Sequence, residues 1–310
     1  MDTIQFYAYP TDKVEGLDLL VDVDHHRPLL ISPQDQEQLD RDWAERGYTR
    51  SAPIGTLSNV FFNTVTGETR LVYRLTEYKV YSGIAFPALP DTEEKLSPPL
   101  RASMRASAVG CAIETADGKI IAQRRKEGII DGGRLDSGAA GMMVYDSAEG
   151  KLDWQQQALE KITRELNIMD HSQISSLVPR AAFSSRGPVH VPATKGYFTG
   201  GHSGMVGSLV QTALSYGQIS DFFERTEVGE VIGINKSDLA RFIIEQSRKD
   251  NKGLCGDGCA TLLSTLPPDE FYQTVEKINS RESFRIQFGS LRNDAFIERL
   301  KRDFNKSGKI

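Results

Sequence analysis

The sequence predicts an α/β protein in which a small α+β unit precedes a larger unit of strands and helices. Three observations carry this expectation. The chain is 310 residues long, about twice the size of a typical single domain. The stretch from Pro87 to Pro90 and on through Ser97-Pro98-Pro99 concentrates prolines and charges in the manner of a linker. Beyond it, a strand, a turn and a second strand lead through a glycine-rich loop into an amphipathic helix. The expected organisation is residues 1–98 as an N-terminal unit with its linker, 99–270 as the main unit, and 271–310 as a helical extension.

In the N-terminal unit, Leu19 to Asp24 alternates as a strand entering a turn. Asp35 to Arg46 reads as a polar helix with Leu39 and Trp43 at i, i+4 spacing. Ile54 to Phe62 and Thr69 to Tyr81 read as strands rich in β-branched and aromatic residues, joined through Thr66-Gly67-Glu68. In the main unit, Ser107 to Glu114 and Ile120 to Arg125 form a hairpin around Ala116-Asp117-Gly118-Lys119. The glycine-rich stretch Asp131 to Gly141 then passes through Met142 to Tyr145 into a polar loop. Asp153 is the expected N-cap of the next helix, with Gln156 three residues on and an apolar stripe of Ala158, Leu159, Ile162 and Leu166. Near the end, Phe296, Ile297, Leu300 and Phe304 recur at helical spacing within Asn293 to Lys309.

Composition excludes some function classes. Hydrophobic residues make up 39% of the chain, and no apolar run approaches the ~18 residues of a membrane-spanning helix. Acidic residues number 42 against 37 basic ones, a net charge of -5, which argues against general nucleic-acid binding by phosphate neutralisation. The start Met1-Asp2-Thr3-Ile4-Gln5 lacks a cationic segment followed by an apolar core, and three cysteines make no even disulfide framework. A reduced, cytoplasmic protein is expected.

The strand, Asp-Gly turn, strand ending Arg124-Arg125, glycine-rich loop and helix containing Arg164-Glu165-Leu166 together resemble the Nudix hydrolase superfamily. The segment Glu227 to Ile243 is similar to the family's late strand and helix, and Leu135 to Gly141 to a subgroup with N-terminal extensions. The resemblance spans roughly Ser103 to Leu266 and implies an α/β/α sandwich with a mixed sheet. It also implies carboxylates that hold Mg²⁺ or Mn²⁺ against a substrate diphosphate, since hard cations take oxygen ligands. The family motif runs Gly, five residues, Glu, seven residues, then Arg-Glu-apolar-any-Glu-Glu-any-Gly. Arg164, Glu165 and Leu166 match it, whereas Gln156, Ile168 and Met169 stand where glutamates are expected.

Carried onto this chain, the resemblance makes Glu165 and Glu230 the catalytic and metal-ligating carboxylates, with Glu230 preferred over Glu227. It makes Arg164 a brace for the glycine-rich loop, with Gly141 rather than Gly150 as the counterpart of the motif glycine. Arg124, Arg186 and His190 become substrate contacts. Arg124 and Arg125 are strand neighbours facing opposite ways, so only one can enter a common cleft. The leading reading is a protein that binds and, with divalent metal, hydrolyses a nucleoside diphosphate derivative or related diphosphate, because Arg164, Glu165 and a distal acidic segment persist together. The alternative, which the missing acids favour, is a non-catalytic binder of a nucleotide or protein. The N-terminal unit would shape substrate choice or pair two copies as a homodimer. Asp22, Asp24, His25 and His26 read as a strand entering a turn rather than a metal site. Gly200 to Gly204 reads as a loop, and Cys255 to Cys259 as a glycine-rich turn before a helix at Ala260 to Leu263 rather than a zinc site.

Overall fold

The computed structural model describes residues 2–9, 16–62, 68–89, 92–129, 131–187, 189–191, 196–198, 202–223, 227–247, 252–281 and 284–289. The first half contains β1 (Asp2–Ala8), β2 (Asp18–Asp24), α1 (Pro33–Glu45), β3 (Pro53–Phe62), β4 (Glu68–Glu77), α2 (Tyr78–Ala85), α3 (Thr92–Lys95) and α4 (Pro98–Ser103). There follow β5 (Arg105–Glu114), β6 (Lys119–Arg125), β7 (Leu135–Ser137), β8 (Ala139–Met142), α5 (Trp154–Leu166), β9 (Ile174–Arg186), β10 (Val189–Val191) and β11 (Gly196–Phe198). The last elements are β12 (His202–Thr212), α6 (Tyr216–Phe222), β13 (Val228–Asn235), α7 (Leu239–Gln246), α8 (Gly256–Leu263), α9 (Pro268–Asn279) and β14 (Phe284–Phe288).

Twelve strands form one mixed sheet whose main path is β14-β1-β9-β12-β5-β3-β4-β2. At its centre, β5 runs parallel to β12 along its whole length. Its other edge is divided: Ala106 pairs with β3, Ala108 to Cys111 with β8, and Ile113 and Glu114 with β6. Successive strand residues face opposite sides. Val109, Cys111 and Ile113 therefore pack with Ala158, Ile162 and Leu166 of α5, while Ala108 and Ala112 pack with Cys259, Leu262 and Leu263 of α8. With α7 and α9 joining α8, helices cover both faces, giving the α/β/α arrangement around a mixed sheet. At the start of α8, a Cβ on Gly258 would lie 2.7 Å from Asp136 Cα, so only glycine allows this close approach to β7.

The sheet runs through the expected unit boundaries rather than stopping at them. β1 lies before residue 98 yet pairs with β9 and β14, and β3 pairs with β5. The proline-rich stretch carries α3 and α4, not an open linker. Pro98 and Pro99 open α4 behind Ser97, where a missing N–H costs no helical bond. Leu96, Leu100 and Met104 are buried with Leu39, Ile54 and Val80. The 270/271 boundary falls inside α9, which is followed by a strand, β14. The helix expected over Asn293 to Lys309 lies outside the described residues, as do Thr66 and Gly67.

Local expectations fare unevenly. The strand expected to reach Tyr81 ends at Glu77, and the chain turns into α2. Val80 and Tyr81 favour strands, but packing against α1 overrides that preference. A Cβ at Gly83 would meet Leu39 Cδ2 at 2.5 Å, so glycine sets how close the two helices come. Asp153 does cap α5, accepting from the Gln156 amide at 3.0 Å. The Gln156 side chain instead donates to Glu160, and Trp154 joins the buried stripe while Leu159 stays half-buried. The Cys255 to Cys259 segment is the first turn of α8, not a turn before it: Cys255 is the N-cap and its Sγ accepts from the Gly258 amide.

A buried carboxylate fixes α1 against the chain leaving α2. Asp42, 1% exposed, accepts through Oδ1 from Ala88 N, Leu89 N and Thr92 Oγ1, and through Oδ2 from Arg46 Nε. Asp42→Ala would strand these donors, so a loss of about 3 kcal/mol or more is expected by urea denaturation. A loss below about 1 kcal/mol would show that the network does not hold this corner.

Candidate functional site

Glu165 sits in the last turn of α5 and is 3% exposed. Its Oε2 accepts from Gln123 Nε2 at 2.8 Å and from the Ala140 amide at 3.3 Å, tying the helix to β6 and β8. Burial pushes its carboxyl up to about 7; the Gln123 hydrogen bond opposes the shift and the Asp136 carboxylate adds to it. At neutral pH this group is divided between its protonated and ionised forms.

Glu230 is not brought to Glu165. In the β6/β13 register Glu230 faces Arg124, whereas Val231 faces Gln123. Directly paired residues share a face of the sheet and neighbours alternate. Glu230 and Arg124 thus lie on the face opposite Gln123, whose amide holds Glu165. Arg124 Nε pairs with Glu230 at 3.1 Å, and its Nη1 donates to the carbonyls of Gly133 and Lys252. It joins two loops. Glu227, the less favoured acid, comes to the end of α5, 3.3 Å from Arg164 Nη2.

The remaining expected site residues scatter. Arg164 is 55% exposed and lies 3.8 Å from Glu165 Oε1; with Glu227 it braces the start of β13 rather than the glycine-rich loop. Gly141 lies under Lys161, whose Nζ would be 2.9 Å from a Cβ placed there. Arg186 is exposed at the end of β9. His190 pairs with Tyr197 between β10 and β11, and its side chain lies outside the described residues. Asp24 accepts from the His26 amide in a local turn. Gly204 belongs to β12 rather than to a loop. Cys111, Cys255 and Cys259 are buried free thiols whose pKa values burial raises.

Among the described residues, no group of three His, Cys, Asp or Glu side chains is disposed to hold a metal ion. Among the described residues, the two acids expected to hold Mg²⁺ or Mn²⁺ are not brought together: Glu165 Oε2 accepts from Gln123 and the Ala140 amide, and Glu230 pairs with Arg124 on the other face.

What the fold does assemble is a cavity of about 220 Å³ bounded by β5, β7, β8, β9, β12, α2 and the start of α8. Arg125, the other strand-end arginine, lines it and lies 3.8 Å from Asp136. Arg134 bonds Asp2 at 2.8 Å and the Leu254 carbonyl at 3.0 Å, with Asp131 at 3.8 Å. Asp257, from the first turn of α8, accepts through Oδ1 from the hydroxyls of Ser185 and Ser203. Burial pushes its carboxyl up to about 6, and the two hydroxyls restrain the shift. Tyr78, Tyr81 and Phe86 line the same cavity, with Tyr81 and Phe86 edge to face at 5.7 Å.

Of the lining residues, Gly141 is an expected site residue and Arg125 the strand neighbour weighed beside Arg124, whereas the acidic and aromatic ones escaped sequence reasoning. Charges at Asp131, Arg134 and Asp136 interrupt the glycine-rich stretch, and Asp257 stands between two glycines. Both patterns suit exposed turns equally well. Asp2 and Tyr81 carry no local signal at all.

No protein-family model matches the chain, and no curated protein matches it. Solved structures similar to part of it include the following two. DR0079 from Deinococcus radiodurans shows 17% identity and a TM-score of 0.34 over 54% of this chain and 85% of its own. The M. smegmatis Nudix hydrolase RenU shows 14% identity and a TM-score of 0.32 over 50% of this chain and 80% of its own.

The state of Glu165 has a measurable consequence. Its carboxyl rises from the ordinary 4.5 to about 7 on folding, so the native state holds the proton more tightly than the unfolded chain. The stability this contributes is full below pH 4.5 and is lost as pH rises through 7. Glu165→Gln fixes the neutral form. Relative to the parent, the variant should gain stability between pH 5 and pH 8, up to about 3 kcal/mol. Thermal melts at pH 5, 6.5 and 8 check this, and a pH-independent difference would refute it.

Proposed function

We propose that the chain is a small-molecule-binding module of Nudix-like architecture whose site works without divalent metal and does not cleave diphosphates. The observation that carries this reading is the separation of the two expected catalytic acids. Glu165 is buried under Gln123 and the Ala140 amide, and Glu230 is paired with Arg124 on the other face. The order of strand, turn, strand, glycine-rich loop and Arg164-Glu165-Leu166 helix supports the Nudix-like part of the reading.

Attack of water on phosphorus needs cations or oriented donors where negative charge accumulates. Here each carboxylate offered by the motif is committed elsewhere, and Glu165 serves to fasten α5 to the loop. The neighbouring cavity is enclosed by several elements and combines an aromatic wall with a few convergent polar groups, as ligand sites do. The chain thus keeps a place for a ligand while the acids of the motif have been turned to structural use.

Calorimetric titration with Mg²⁺ or Mn²⁺, alone and with ADP-ribose, followed by chromatography of the same samples, tests the proposal. No metal-dependent cleavage is expected from the parent or from Glu165→Gln. Metal-dependent turnover that Glu165→Gln abolishes would replace this reading with the hydrolase.

A further inference from the structure

The cavity is more acidic than a diphosphate would tolerate. Asp2, Asp131, Asp136 and Asp257 line it against only Arg125 and Arg134. Both arginines are engaged: Arg134 bonds Asp2 and lies close to Asp131, and Arg125 lies beside Asp136. Asp257 is different. Its Oδ1 takes two neutral hydroxyls, and its Oδ2 accepts no hydrogen bond among the described residues although the side chain lines the cavity. A partly buried carboxylate that receives only neutral hydroxyls is under-compensated, and a ligand bearing positive charge would supply the missing partner.

The three rings of Tyr78, Tyr81 and Phe86, with centroids 5.7 to 6.4 Å apart, line the same cavity. Ring faces attract cations electrostatically, and Phe86 already shows this, with the Arg46 guanidinium 5.5 Å from its centroid. The Tyr81 hydroxyl makes no hydrogen bond to a described residue and lines the cavity. The volume of about 220 Å³ falls below the roughly 300 to 1,000 Å³ typical of drug-sized ligands, so the occupant is small.

We propose that this cavity binds a small organic cation, an amine or guanidinium compound, with its body against Tyr78, Tyr81 and Phe86 and its charge on Asp257. The proposal rests on the binding-module reading and adds the ligand class to it. A neutral ring would gain the aromatic wall but leave Asp257 unpaired. An anion would face the surplus of carboxylates.

Calorimetric titration of the full chain with benzamidine, agmatine and tyramine tests it, with benzamide as the neutral counterpart of benzamidine and inorganic pyrophosphate as the anion. At least one cation should bind, and benzamide should bind at least about tenfold more weakly than benzamidine, a difference near 1.4 kcal/mol. Asp257→Asn, which conserves volume, should weaken the cation at least about tenfold while still melting cooperatively. Should that variant not fold, Tyr81→Leu carries the test, with a weakening of about threefold or more. Equal binding of benzamide and benzamidine, or binding of pyrophosphate alone, would overturn the cation assignment and leave the binding module standing. If none of the probes binds, both fall.

Discussion

The divided edge of β5 is the constraint on which the rest of the structure depends. One side of this strand is saturated by β12 over its full length, while the other is shared by β3, β8 and β6. Backbone donors and acceptors inside a protein must be satisfied, so the three partners have to arrive in that order along one edge. β3 brings α1 and α2 with it; β6 and β8 bracket the glycine-rich stretch. The cavity forms where these arrivals meet the start of α8, and the first hundred residues are thereby built into the sheet instead of hanging beside it.

Burial of charge is the second organising feature, and each case is answered differently. Asp42 collects two amides, a hydroxyl and Arg46, and Asp2 is matched by Arg134. Such pairs gain little net stability over apolar packing, yet they are expensive to break. Glu165 reduces its cost by rising towards neutrality. Asp257 receives only hydroxyls from Ser185 and Ser203 and remains the least compensated of the group. The difference between a carboxyl that has become structural and one still open to a ligand follows from these partners, not from residue type.

The residues that stand at positions 168 and 169, where the motif that the chain resembles carries glutamates, fit the end of α5. Ile168 is buried with the α5 stripe, packed with Ile162 and Leu166, and Asn167 takes a left-handed conformation at φ 56° that ends the helix before it. A carboxylate at position 168 would sit in apolar core with no cation beside it. Met169 lies beyond the helix end and is 71% exposed. Positions 168 and 169 thus lie beyond the end of α5.

By itself, the sequence determined the features whose causes are local. Gly118 allows the positive φ of the β5/β6 turn, Asp153 offers a carboxylate to the first turn of α5, and the run of small and apolar residues from Ser107 to Ile113 suits a strand buried on both sides. The missing glutamates were equally legible. Only the tertiary structure decided that α2 is a helix, that β1 and β14 join the sheet, and that Glu230 faces away from Glu165. Each of these depends on contacts between distant segments or on strand register, where a one-residue slip moves a side chain to the other face. The cavity belongs to the same class: Asp2, Tyr81, Asp136 and Asp257 are far apart in the chain, and nothing but the packing of β5, α2 and α8 makes them neighbours.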